Sequence, residues 1–90
     1  MNYVYLLRCA DDTLYCGWTT DLTTRMETHN SGKGAKYTRS RRPVELVYSE
    51  EYEDRHEARS REWHIERLSR PEKLALIAGN AQLSESNQKG

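Results

Sequence analysis

The spacing of apolar and polar positions along the chain predicts six elements. "NYVYLLRC" (Asn2 to Cys9) interleaves aromatic and aliphatic residues without a breaker and reads as a strand. "ADDT" is a turn, its adjacent aspartates suited to tight backbone geometry. "TLYCGWT" then returns as a second strand, so the chain opens with a β-hairpin. "TTDLTTRMETHNSG" has helical spacing, with Thr20 or Asp21 to cap its start and Asn30 to Gly32 to end it.

"KGAKYTRSRRP" is polar, broken by Gly34 and Pro43, and reads as a loop. "VELVYSEEY" is a third strand. A helix from about Asp54 to Leu68 follows, its acidic start favoured by the helix dipole. Pro71 opens a last short helix, "PEKLALIA", where proline is best tolerated. After Gly79, "NAQLSESNQKG" has no periodicity and reads as a frayed polar tail.

The order β-β-α-β-α-α implies an α/β chain of the α+β type. A small, mostly antiparallel three-stranded sheet flanked by helices would bury the apolar faces available. Ninety residues make one domain, read as residues 1–79 with a tail at 80–90. A chain of this size buries roughly 60–65% of its unfolded surface, so its core is small. No apolar run approaches the ~18 residues of a membrane span, and none resembles a signal peptide, so the expectation is a cytoplasmic protein with no membrane partner. Cys9 and Cys16 lie in strand-like runs without zinc-ligand spacing and read as reduced, structural thiols.

Net charge is zero but unevenly spread. Up to Pro43 there are seven Lys/Arg against four Asp/Glu, and from Val44 onward seven against ten. The basic excess gathers in "KGAKYTRSRR", with Lys33, Lys36, Arg39, Arg41 and Arg42 around Tyr37. Such a segment can present one positive face to phosphates, or it can be an ordinary solvated loop.

The helical stripes carry the candidate chemistry. In "ARSREWHIERL", Ala58, Ile65 and Leu68 share one stripe, and Glu62 lies on it too. An unpaired buried carboxylate is costly, so Glu62 calls for a cation, a hydrogen-bond network or water. In the first helix Leu22, Met26 and His29 share the inward stripe, with Arg25 on its flank. An arginine can lay its stem on a core, and a lone half-buried histidine is usually structural. The hairpin adds Tyr3, Tyr5 and Tyr15, and Gly17 stands in mid-strand, where it would weaken pairing unless something must approach the backbone closely. Arg, His, Glu and tyrosines on one patch suit phosphodiester hydrolysis. A structural Arg25–Glu62 pair would explain those two residues but not the tyrosines or Gly17.

These residues also carry a resemblance. "YVY" (Tyr3–Tyr5), "YCG" (Tyr15–Gly17), "TTDLTTRMETHNSGKGAKYT" and "EARSREW" together resemble the GIY-YIG nuclease domain over residues 2 to about 77. The similarity is to the small stand-alone bacterial members, whose catalytic domain resembles the amino-terminal part of the excision-repair nuclease UvrC. The resemblance implies that Tyr5 and Tyr15 line the site and position or deprotonate the attacking water. Gly17 would allow close packing beside the scissile phosphate. Arg25 would contact that phosphate and stabilise the transition state, while His29 would assist proton transfer or phosphate contact. Glu62 would hold a single divalent metal, Mg²⁺ or Mn²⁺. The chain departs from the motif letters at Tyr3 (for Gly) and Cys16 (for Ile). Glu66 and Arg67 occupy the stretch where relatives often carry a lysine.

The reading that follows is a metal-dependent endonuclease acting on DNA, in repair or recombination. The alternative is a nucleic-acid-binding module, or a nuclease that needs a protein partner to supply DNA affinity. A scaffold that kept only the fold would have no use for a carboxylate on the Glu62 stripe.

Overall fold

The structure is a computed structural model that describes the backbone of residues 1–89 and the side chains of residues 1–79. It contains β1 (Asn2–Arg8), β2 (Leu14–Thr19), α1 (Leu22–Asn30), α2 (Lys36–Arg39), β3 (Glu45–Tyr52), α3 (Arg55–Glu66) and α4 (Arg70–Lys89). The α+β fold and its order match the sequence reading, with one helical turn, α2, inside the segment read as a loop. The sheet is wholly antiparallel in the order β2-β1-β3.

β1 is nearly continuous in apolar residues because it is the central strand, covered on both faces. Alternation sends Val4 and Leu6 to one face and Tyr5 and Leu7 to the other. On the first face Val4, Leu6 and Cys16 pack with Ala58 and Ile65 of α3, and with Leu76 and Ile77 of α4. On the second face Tyr5, Leu7, Cys9 and Val44 pack with Tyr15, Leu22 and Met26, under α1. Val4, Leu6 and Leu7 are fully buried, and truncating such a side chain to Ala costs about 2–5 kcal/mol. Cys9 and Cys16 are free, buried thiols.

Local signals fix the ends of the elements. The hairpin turn places Asp12 at φ 67, and the Asp11 carboxylate accepts from the Thr13 amide and hydroxyl at 3.2 and 2.6 Å. Asp21 caps α1, accepting from the Thr24 amide at 3.1 Å. Asp54 caps α3 through the His56 amide at 3.0 Å. Before α4, Ser69 and Glu72 form a reciprocal capping box, the Glu72 carboxylate accepting from the Ser69 amide at 2.9 Å. That box starts a helix that runs on to Lys89, beyond the end expected at Ala78. The side chains of the segment read as a polar tail lie outside the described residues.

A polar clamp joins β3 to α3. Arg61 donates to both oxygens of Glu50 at 2.9 and 3.0 Å, and the Tyr48 and Tyr52 hydroxyls donate to the same carboxylate. The carboxylate is 18% exposed, so four charge-assisted donors offset its desolvation. Arg61 precedes Glu62, so the clamp also holds the helical turn that carries the candidate metal ligand.

Candidate active site

A hydrogen-bonded chain runs through the α1 face of the sheet. Arg25 Nε donates to the Tyr5 hydroxyl at 3.3 Å, and that hydroxyl lies 3.0 Å from His29 Nε2. His29 Nδ1 lies 2.9 Å from Thr38 Oγ1, whose hydroxyl donates to the Ala35 carbonyl at 2.9 Å. Only one direction of donation satisfies every member. Thr38 spends its proton on Ala35, so His29 carries its proton on Nδ1. Nε2 is then the acceptor for Tyr5, and the Tyr5 oxygen is the acceptor for Arg25.

α1 supplies Arg25 and His29 four residues apart, one helical turn, and β1 supplies Tyr5 beneath them. Tyr5, His29 and Thr38 are fully buried. Burial pushes the Tyr5 phenol above its usual value, opposed by its hydrogen bond from Arg25. Burial likewise raises Tyr15. Burial, and secondly the Arg25 charge, lower the pKa of His29, which keeps the imidazole neutral and able to accept a proton. Both phenols in turn hold the Arg25 guanidinium charged, the Tyr5 hydrogen bond foremost.

Two glycines make room for this chain. Gly17 is paired directly with Tyr5 across the β1–β2 ladder. A Cβ on Gly17 would overlap the Tyr5 hydroxyl and Cζ. The space expected beside a phosphate is therefore filled by the Tyr5 ring. Gly34, marked in the sequence only as a break in the loop, makes room as well: a Cβ there would overlap His29 Nδ1 and come within 2.8 Å of its Cα. Thr38 was missed. The only sequence signal for either is their place in the run "HNSGKGAKYT".

Tyr15 meets the His29 ring edge-on, with centroids 5.5 Å apart, and stacks on Tyr37 at 5.8 Å. The Arg41 guanidinium lies over the Tyr37 ring, 4.0 Å from its centroid, so Tyr37 links Tyr15 to the basic loop. His29 is buried, with one ring nitrogen engaged by Tyr5 and the other by Thr38.

Glu62 comes from the opposite face. Its backbone carbonyl lies 3.8 Å from Cys16 Sγ, so α3 crosses the edge strand β2 beside Tyr15 and Gly17. The Glu62 charge is felt at both Tyr5 and Tyr15. Its side chain is 22% exposed and meets Arg59 at 3.7 Å, not Arg25. Burial, then Glu66, raises its pKa, and Arg59 opposes them. Among the described residues no group of three or more His, Cys, Asp or Glu converges. One half-buried carboxylate with an open edge fits a hard cation that keeps most of its water and takes substrate phosphate oxygens.

The arginines of the basic loop are largely committed. Arg39 donates to the Gly34 carbonyl at 3.2 Å. Arg41 donates to Asp11 at 2.9 Å and to the Tyr37 carbonyl at 2.8 Å. Arg42 donates to the Arg39 and Asn30 carbonyls at 2.9 and 3.3 Å. These contacts fold the loop on itself, so its positive charge is less available to a ligand than the sequence implies. Lys33 and Lys36 are exposed.

Residues 1–75 match the model of the GIY-YIG catalytic domain. The chain is similar to the UPF0213 protein CPE1444 of Clostridium perfringens, 52% identical over 89 residues that cover 99% of this chain and 96% of that one. It is also similar to the solution structure of the UPF0213 protein BH0048 from Bacillus halodurans. That match has 46% identity and TM-score 0.57, over 87% of this chain and 84% of the other. The solution structure of EF2693 from E. faecalis gives TM-score 0.62 at 40% identity, over 90% and 86% of the two chains.

Proposed function

Because this chain belongs to the GIY-YIG catalytic domain family, a nuclease family, we propose that it is a metal-dependent endonuclease that hydrolyses DNA phosphodiester bonds. The observation that carries this reading is the Arg25–Tyr5–His29 hydrogen-bonded chain.

Tyr5 donates to His29 and accepts from Arg25, which leaves one oxygen lone pair to hold an attacking water. As that water loses a proton to Tyr5, the phenol's own proton can pass to neutral His29. Arg25, half-buried at the same point, stabilises charge developing on the phosphate. Tyr15 walls the site and keeps the His29 ring in place. Glu62 is the residue that would hold Mg²⁺ or Mn²⁺, and the chemistry such an ion supplies when bound is polarisation of a phosphate oxygen.

A second reading is favoured by the committed arginines of the basic loop. With few free cations there, the chain can depend on a protein partner for DNA affinity, or act as a binding module. A role in DNA repair or recombination belongs with either. One experiment separates them. Labelled duplex, nicked, flap, four-way-junction and single-stranded DNA are incubated with Mg²⁺, Mn²⁺ or EDTA, beside Glu62→Gln. Metal-dependent cutting that the variant loses supports the nuclease. Binding without cutting of any form supports the partner-dependent reading.

A further inference from the structure

Two arginines of α3 share one aromatic partner, Trp18. Arg55 and Arg59 both lie over the Trp18 ring, 5.2 and 5.4 Å from its centroid. Among the described residues Arg55 has no hydrogen bond or ion pair, and Arg59 has only the 3.7 Å approach to Glu62. Each guanidinium carries five donors. Arg39, Arg41, Arg42 and Arg61 each direct one or two of theirs to a carbonyl or carboxylate.

The placement is locally unfavourable. Two like charges stand over one aromatic ring. They also stand on the first two turns of α3, where the helix dipole opposes positive charge. Among the described residues the one acid paired with either is Glu62, 3.7 Å from Arg59. Asp54 is turned to its capping bond with the His56 amide. Trp18 itself is anchored, packed against the Val4–Leu6–Ile65 core, so the arginines rest on a rigid plate. Asp54, Arg55, His56 and Arg59 line an open cleft of ≈ 490 Å³.

This strip leads to the active site. Trp18 follows Gly17 on β2, and Arg59 is one turn before Glu62. From Glu62 to Arg55 the helix rises about 10 Å at 1.5 Å per residue. That spans the axial rise of about three phosphates of one DNA strand.

We propose that Arg55 and Arg59, held on Trp18, form a DNA-backbone track that carries the phosphates flanking the scissile one along α3. The proposal rests on the nuclease reading for its ligand, and adds a surface that the basic loop does not provide.

The test is binding of a labelled DNA duplex in EDTA across a series of salt concentrations, so that cleavage plays no part. The double variant Arg55→Gln/Arg59→Gln should bind more weakly. Its slope of log affinity against log salt should be less negative by about 1.8, since each phosphate contact contributes about 0.9. Arg55→Lys/Arg59→Lys should keep the wild-type slope, and unfolding midpoints identify any variant that merely misfolds. An unchanged slope in a folded Gln variant overturns the proposal, as does a wild-type chain that binds no duplex. The slope change in a chain that cuts no DNA upholds the track and counts against the nuclease reading alone.

Discussion

The Tyr5 ring lies across Gly17, its partner in the β1–β2 ladder, and fills the volume a side chain there would need. Gly17→Ala therefore forces out the residue at the centre of the hydrogen-bonded chain. Overpacking of this kind costs about 1–3 kcal/mol, and each kcal/mol lowers Tm by about 4–8 °C in a domain of this size. Cleavage should fall with it. Gly79, in α4, is the contrast: a Cβ there meets nothing within 4 Å. Gly79→Ala should stabilise by about 0.5–1 kcal/mol through backbone entropy alone. Thermal melts of the two variants check both signs.

Glu62 sets function against stability. Burial and Glu66 raise its pKa above 4.5, so the ionised form is a cost to the fold. The stabilising effect of its proton is complete below 4.5 and is lost as pH rises through the folded value. Glu62→Gln should hence be at least as stable as wild type at pH 7, with the advantage fading below pH 4.5. The same variant should lose cleavage by about 100-fold or more, the rate equivalent of the several kcal/mol a metal centre supplies. Denaturation at pH 4 and pH 7, beside a cleavage assay, reads both arms.

His29 gives the opposite pH signature. Its folded pKa is depressed below 6.5, first by burial and then by Arg25. Below pH 6.5 the unfolded chain binds this proton more readily than the folded one, so stability falls as the pH drops from 6.5 toward the folded value. His29→Gln removes that dependence while lowering stability at pH 7.5, because Tyr5 and Thr38 lose a buried partner at about 1–3 kcal/mol. Urea titrations at pH 7.5 and 5.5 should show a smaller difference between the two pH values in the variant.

Arg25 should act on rate with little effect on the fold. Arg25→Gln removes a charged donor aimed at the site, and loss of one such donor costs about 10²–10³-fold in kcat. Arg25→Lys keeps the charge but not the guanidinium fork, so it should recover only part of the rate. Single-turnover cleavage at saturating DNA, beside a melt of each variant, separates rate from stability.

Much of this was legible in the chain. Alternation in "NYVYLLRC" and "TLYCGWT" specified the hairpin, and Asp21 and Asp54 marked the two helix starts. Arg25 and His29 on an inward stripe identified the polar interior of α1. Pairing distance, however, was invisible. Thr38 sits nine residues from His29 in a segment with no period, and nothing local connects them. α2 leaves no signal because a single turn has no periodicity, and the Ser69–Glu72 box moves the start of α4 one residue ahead of Pro71.

The sequence by itself determined the elements, their order and the residue types at the site, because backbone preference and hydrophobic period act over a few neighbouring residues. Tertiary structure decided what each polar group does. Five cations in one loop look alike in a sequence, yet Arg39, Arg41 and Arg42 fasten that loop. Arg55 and Arg59, in an acid-rich stretch, keep donors to spare. A guanidinium is committed or free according to which carbonyls and carboxylates the folded chain brings within about 3 Å, and that proximity exists only after distant segments have packed.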